Sequence, residues 1–426
     1  GVDTSDHEVN IKILLDAEVG AGRISEKERD ELLPAMADDV AALVLRHNRA
    51  QNLALANALS PSGPTAGVLE AWMCQLEESG HLDRAVDTMP STTEMNRKMA
   101  AGERLVSPEL CTVLAWTKIA LCDAVLATNL PEDSFVADRL VGYFPPLLRE
   151  RFAEQMPAHR LHREIITTEA VNRFVDSQGI TAYYQLHLQT GADIAQVIRC
   201  QLAARSVFGL GRVETDLTHL GLDAVRTAKI RLALRDLAMG ATRWFLNHGG
   251  ADDIAGTIET YRPGIAKLVE KLSELLLGDN ADAWQEKVDE VTELGLDRSD
   301  AAVVAACDWG SVLLSVVEIS EEGHPLDEVA DAYLTLARRV DMIRLTRLVE
   351  QLPQDRPTDA RVRASLREDL LQVMSDATRR ALKHGTDNVL VDGGRIVEAI
   401  ATNPDLAHCV VMVSDLRSAV GQEATF

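Results

Sequence analysis

Cysteine is scarce and scattered in this chain. The six residues Cys74, Cys111, Cys122, Cys200, Cys307 and Cys409 stand singly among 426. No C-x-x-C pair exists, so local spacing draws neither a redox motif nor a thiolate zinc site. Cys111 and Cys122 fall in apolar helical patterns, where a free thiol acts as a small hydrophobe. Lone thiols of this kind fit a reducing compartment, and the cytoplasm is the expected one. Aromatic residues make up only 4%, and the abundance of Ala, Leu, Arg and Glu favours helix over sheet. No apolar run reaches the roughly 18 residues of a membrane span, and no signal-peptide pattern is visible. Positive charge is in deficit: 43 Lys and Arg face 66 Asp and Glu, a formal net charge of −23. Such a chain repels phosphate backbones and anionic bilayers, which excludes nucleic-acid and membrane partners. Also missing are a dinucleotide fingerprint after a strand, a G-K-[ST] phosphate loop, an H-E-x-x-H helix and a G-x-S-x-G elbow. No alternating hairpin pattern and no repeat of solenoid length recurs.

What is present is helix after helix, so the expected fold class is all-α. Ser5 and Glu8 make an S-x-x-E pattern, and Ile11, Leu14 and Leu15 follow at helical spacing. The pattern predicts a helix with Ser5 at its N-cap, and a plain cap is the reading that spacing favours. A Ser at a helix mouth also suits an anion such as a carboxylate. Ser25–Glu28 and Ser91–Glu94 repeat the pattern, and Ser107-Pro108-Glu109 reads as N-cap, Pro at N1 and a first-turn acid. Val68, Leu69, Trp72 and Leu76 form one stripe, and Leu110, Val113, Leu114, Thr117 and Leu121 another. Further helices are expected from His159 to Gln178, Asp193 to Phe208 and Asp223 to Leu246. Pro263, Gly278, Gly295, Pro325, Pro353 and Pro357 are expected to punctuate the remainder. A late amphipathic helix carries Leu366, Leu370, Val373, Met374, Ala377 and Leu382. The run Cys409–Val413 fits a strand or a buried helix equally. Punctuation suggests a connecting segment at 1–20 and helical subdomains at 21–250 and 251–426.

Several groupings invite chemistry. His159 and His162 with Glu164 are the most metal-like, but their spacing is three, Arg160 and Arg163 flank them, and a surface of paired charges is the plainer reading. Asp38-Asp39 and Asp252-Asp253 lack the third acid of a D-D-x-x-D diphosphate site and read as acids at helix starts. Gly209-Leu210-Gly211 and Gly393-Gly394 read as helix punctuation. Ser5 and His7 are two apart on a helix and do not face each other. Arg338, Arg339, Arg344 and Arg347, interleaved with Asp331, Asp341 and Glu350, read as a solvated ion-paired face. An independent all-α enzyme is disfavoured, because no catalytic constellation emerges.

Taken in order, Gly1-Val-Asp-Thr-Ser5 with Asp6–Leu15, Gly80–Arg84, Leu105–Leu110 through Ala115–Ile119, Tyr143-Phe-Pro145, His159–Ile166 and Tyr261-Arg-Pro-Gly264 resemble successive blocks of the large bacterial NAD-dependent glutamate dehydrogenases. Leu366–Leu370 is a weaker block. Val106-Ser107 and Trp116 depart from the family pattern in packing only. The resemblance implies that 1–20 is the end of a nucleotide-binding domain with a connecting helix, and that the rest is the helical C-terminal region of an enzyme that oxidises L-glutamate to 2-oxoglutarate and ammonia with NAD. By the same resemblance, Val2 and Ser5 line the glutamate pocket, with Ser5 on the distal carboxylate. The catalytic residues and the NAD site would precede Gly1. The implied partners are the enzyme's own N-terminal and catalytic domains, further copies of the chain in a homo-oligomer, and a regulatory protein. A helical interaction module without catalytic contribution is the alternative.

Overall fold

A computed structural model describes residues 2–61, 63–222, 224–352, 356–386, 413–414 and 416–417. Among the described residues there are helices and turns and no strand, so the chain is all-α. Cys409–Met412 and Gly393–Gly394 lie outside those residues. The chain divides into two compact units, 1–183 and 184–426. That division follows packing, whereas the boundary suggested at 250/251 follows a break between helices.

The first unit holds α1 (Val2–Gly20), α2 (Glu26–Ala35), α3 (Ala37–Leu59), α4 (Ala66–Glu78), α5 (Thr92–Ala100), α6 (Ser107–Leu126), three short helices α7 (Ser134–Ala137), α8 (Leu140–Tyr143) and α9 (Pro146–Phe152), and α10 (His162–Gln178). Ser25 caps α2 by accepting the Glu28 N–H at 3.2 Å. Glu28 does not close the box, because its carboxylate takes Arg151 at 2.5 Å. The box at α5 is complete: Ser91 accepts from Glu94 N–H at 3.3 Å, and Glu94 accepts from Ser91 N–H at 2.8 Å. At α6 the expected cap moves by one residue. Glu109 reaches back three positions to the Val106 N–H at 2.7 Å, so Val106 is the N-cap and Ser107 opens the helix. Asp38 and Asp39 lie in the first turn of α3.

Both predicted stripes are buried, from Val68 to Leu76 and from Leu110 to Leu121. Each such aliphatic side chain contributes roughly 1.5–3 kcal/mol of transfer free energy. Trp72 Nε1 donates to Thr117 Oγ1 at 2.8 Å, which satisfies both polar atoms inside the core and ties α4 to α6. The central element is α10, which packs on α3, α6 and α8. Lys118 of α6 meets Asp176 of α10 at 2.7 Å. Burial pushes the Asp176 carboxyl up, against the pull of Lys118. After α4, Arg84 grips Glu70 through both terminal nitrogens at 2.9 and 3.2 Å and Glu77 through Nε at 2.8 Å. Burial opposes that charge, but the carboxylates outweigh it and raise the Arg84 pKa.

The division at 183/184 falls within α11 (Ala182–Thr190). The second unit continues with α12 (Ile194–Val207), α13 (Leu210–His219), α14 (Ala224–Asn247), α15 (Ile254–Leu275), α16 (Asp279–Glu293), α17 (Arg298–Ala305), α18 (Gly310–Ser320), α19 (Leu326–Arg339), α20 (Met342–Glu350) and α21 (Pro357–His384). Its spine is α18, which buries every residue from Val312 to Val317 and is flanked by α14, α15, α19 and α21. Two glycines allow that centrality. A Cβ on Gly310 would stand 2.2 Å from Leu237 Cδ1, and one on Gly264 would stand 2.8 Å from Val317 Cγ2. Gly209, at φ +65°, breaks α12 from α13, as its punctuation reading requires.

Pro263 does not end a helix. It sits inside α15, and its solvent-facing position lets water serve the carbonyl that its missing N–H leaves unpaired. The basic face also differs from expectation: it spans two helices, broken at Asp341 with φ +50°. Its charges pair outward with other elements, Arg347 to Asp308 at 3.7 Å and Glu350 to Arg367 at 3.9 Å. In α21, Leu366, Leu370, Val373, Met374 and Ala377 are buried, and Leu382 is half-buried.

Candidate functional site

The candidate site is the first helix. Its buried face is His7, Asn10, Ile11, Leu14, Leu15 and Glu18, a clean three-and-four spacing. Ser5, Glu8, Val9, Lys12 and Asp16 make the opposite, exposed face. Ser5 is not an N-cap. Helical backbone already begins at Val2, and a cap must itself be non-helical. Glu8 therefore does not close a box; it lies 3.7 Å from Lys12 one turn on. Val2 is the first residue of α1, and its side chain lies outside what is described. Ser5 and His7 point to different faces, one exposed and one fully buried.

A polar lattice holds this helix. Tyr143, the last residue of α8, donates its hydroxyl to Asp6 Oδ2 at 2.7 Å and accepts from Asn10 Nδ2 at 2.8 Å. Asn10 Nδ2 also donates to Asp6 Oδ1 at 3.2 Å. The His7 ring stacks on Tyr143, 4.4 Å between centroids. His159 Nε2 lies 3.0 Å from the Asn10 carbonyl, and its Nδ1 accepts the Leu161 N–H at 3.1 Å. The acceptor role of Nδ1 fixes the neutral tautomer with the proton on Nε2. Burial lowers the His159 pKa, and the Asn10 carbonyl only partly offsets this.

The His159–His162–Glu164 grouping is thereby reinterpreted. His159 is buried, not on a charged surface, and both its nitrogens are spent on backbone groups. His162 Nδ1 turns to the His159 carbonyl at 3.0 Å, and Glu164 is an exposed first-turn acid. Arg163 is bound to the Leu126 and Thr128 carbonyls and to Glu132. No group of three or more potential ligands among the described residues is arranged for a metal ion. Asp253 is the N-cap of α15, accepting the Gly256 N–H at 3.0 Å.

Local patterning gave no hint of a second constellation, in the other unit. His248, just past α14, places Nδ1 2.8 Å from Glu318 of α18 and Nε2 3.0 Å from Glu368 of α21. It stacks flat on Trp244 at 4.1 Å. Burial opposes its charge, but the two carboxylates outweigh burial and raise its pKa to about 9. The imidazolium is a three-helix clamp. Glu368 also accepts from Asn247 Nδ2 at 2.7 Å, and the two carboxylates with the imidazolium have the form of a structural ion triad.

The described residues form an all-α protein in which a polar lattice holds the first helix and leaves one of its faces exposed. Residues 102–421 match the family described as glutamate dehydrogenase, C-terminal, and residues 1–58 match bacterial NAD-glutamate dehydrogenase, catalytic domain. The chain belongs to the bacterial NAD-dependent glutamate dehydrogenase family. It is 36% identical to the NAD-specific glutamate dehydrogenase of Pseudomonas aeruginosa over 407 residues, 94% of this chain and 24% of that protein. It is 33% identical to the Mycobacterium tuberculosis protein of the same name over 372 residues, 87% of this chain and 23% of that one. For the Halomonas elongata protein the figures are 30%, 87% and 23%. The chain thus spans about a quarter of the length of the curated relatives it matches. No single helix among the described residues is long and apolar enough to cross a membrane.

Proposed function

We propose that this chain works as the C-terminal helical part of an NAD-dependent glutamate dehydrogenase, which converts L-glutamate, NAD and water to 2-oxoglutarate, ammonia and NADH. In this reading α1 borders the glutamate cleft. Ser5 donates to the substrate's distal carboxylate, Val2 packs on its carbon chain, and NAD is held by residues outside this chain. The helices from α4 onward, beyond the catalytic-domain match, support the catalytic core. The partners are the enzyme's own N-terminal and catalytic domains and further copies in a cytoplasmic homo-oligomer.

One observation carries the reading: the catalytic-domain match ends inside this chain, at residue 58, and it includes α1. The uncovered face of α1 agrees. It holds Ser5 and Glu8. In the full-length enzyme, Ser5→Ala is expected to raise the KM for glutamate about tenfold or more and to leave that for NAD unchanged, since one charge-assisted hydrogen bond is lost. An unchanged glutamate KM refutes the assignment of Ser5. The 426 residues alone are expected to form no NADH from glutamate and NAD, and turnover by the purified chain would refute that.

A further inference from the structure

Resting on the reading that α1 borders the substrate cleft, we propose that Tyr143 is a positioning residue for glutamate: with Asp6, Asn10 and His159 it sets the rotation of α1 and so aims Ser5. The apolar contacts of Ile11, Leu14 and Leu15 hold the helix against its neighbours, but they are non-directional and tolerate small rotations. Hydrogen bonds do not. The Tyr143 hydroxyl engages two residues one turn apart on α1, at 2.7 Å to Asp6 and 2.8 Å to Asn10. The His159 bond to the Asn10 carbonyl, at 3.0 Å, adds a third fixed direction.

Ser5 precedes Asp6 directly, so the clamped residue and the aimed residue are 1.5 Å apart along the axis. A hydroxyl about 5 Å from a helix axis moves about 2 Å for a 20° rotation, on helix geometry. That exceeds the roughly 0.5 Å tolerance of a productive binding geometry. The other side of the clamp is itself rigid. Arg149 donates to the Phe144 carbonyl at 2.5 Å and to the Gly142 carbonyl at 2.8 Å, which braces the turn that presents Tyr143. Pro145 and Pro146 fix φ immediately after it. Phe144 meets the Tyr143 ring edge-on at 5.2 Å. Tyr143 and His159 lie within the C-terminal family match, whereas Asp6 and Asn10 lie within the catalytic-domain match. On this account, the C-terminal region takes part in substrate binding by holding the orientation of a helix that belongs to the catalytic domain.

The test uses the full-length enzyme with Ser5→Ala, Tyr143→Phe and the double variant. Tyr143→Phe keeps the ring stacked on His7 and removes only the hydroxyl. The expected result is a glutamate KM raised roughly tenfold, with the KM for NAD unchanged. The decisive readout is non-additivity: on the Ser5→Ala background, Tyr143→Phe should raise KM no further, because it acts only through Ser5. If Ser5→Ala itself leaves KM unchanged, the cleft reading falls and this inference falls with it. If Ser5→Ala raises KM while Tyr143→Phe does not, or if the two effects multiply in full, the positioning role is overturned and the cleft reading stands. Should Tyr143→Phe fail to fold, Asp6→Asn tests the same geometry from the other side, with the same expected and overturning results.

Discussion

The His248 clamp makes a prediction about pH that can be worked through. An imidazole with an unfolded pKa near 6.5 and a folded pKa of about 9 binds its proton more tightly in the native state. Below pH 6.5 both states are protonated, and the full stabilisation is present. Between 6.5 and 9 unfolding releases a proton, so stability falls as pH rises. Above 9 the contribution is gone. A shift of this size corresponds to about 3 kcal/mol by linkage. Glu318 and Glu368 keep 26% and 31% of their side-chain surfaces in water, so screening trims the expected effect to about 2 kcal/mol. The perturbation is His248→Gln, which keeps a donor but cannot titrate. Chemical denaturation followed at pH 6, 7, 8 and 9 should show the wild type losing about 2 kcal/mol more than the variant across the series, since the other titrating groups are common to both. Because Trp244 stacks on the ring at 4.1 Å, its fluorescence should report loss of the imidazolium near pH 9 and not near 6.5. Parallel pH profiles for the two proteins, or a ring titrating near 6.5, would show that the two carboxylates do not hold the proton.

Two further substitutions check packing and capping. Gly264→Ala places a methyl 2.8 Å from Val317 Cγ2 and should lower stability by about 1–3 kcal/mol; Val317→Ala in the same chain should recover part of the loss, and thermal unfolding of the pair reads the coupling. Val106→Thr puts a side-chain acceptor at an N-cap that lacks one and is 52% exposed. A gain of about 0.5–1 kcal/mol is expected in a urea midpoint, and no gain would mean that Glu109 alone already satisfies the end of α6.

Sequence revealed what is local. The capping pattern at Ser91 and the apolar stripe of α6 arise from residues three or four apart, and the structure contains both as read. Where two local signals compete, the surroundings decide. Pro263 reads as a stop, yet α15 runs on through it at an exposed position, where water can serve the carbonyl left without a partner. Ser5 and Glu8 have the spacing of a box, yet the helix starts earlier at Val2. What could not be read at all is what joins distant positions. Asp6 and Tyr143 are 137 residues apart, and His248 and Glu368 are 120 apart; no periodicity encodes such pairs. Even so, several blocks that carry the family resemblance hold these long-range jobs. Arg84 ends one block and grips Glu70, Tyr143 opens another and clamps α1, and His159 opens a third and bonds the Asn10 carbonyl.

The proline within α15 has a consequence for how the second unit comes apart. Upstream of it the helix is fastened by the Asp253 cap and by Arg262 to the Ser206 carbonyl at 3.0 Å. Downstream it is fastened by Lys267 and Lys271 to Asp327 at 3.0 and 3.2 Å. The rung that Pro263 cannot form separates these two moorings. Fraying that enters from one end therefore meets a position where one backbone hydrogen bond fewer has to be broken. Amide exchange along α15 should then divide into two blocks with separate opening energies, meeting at residue 263.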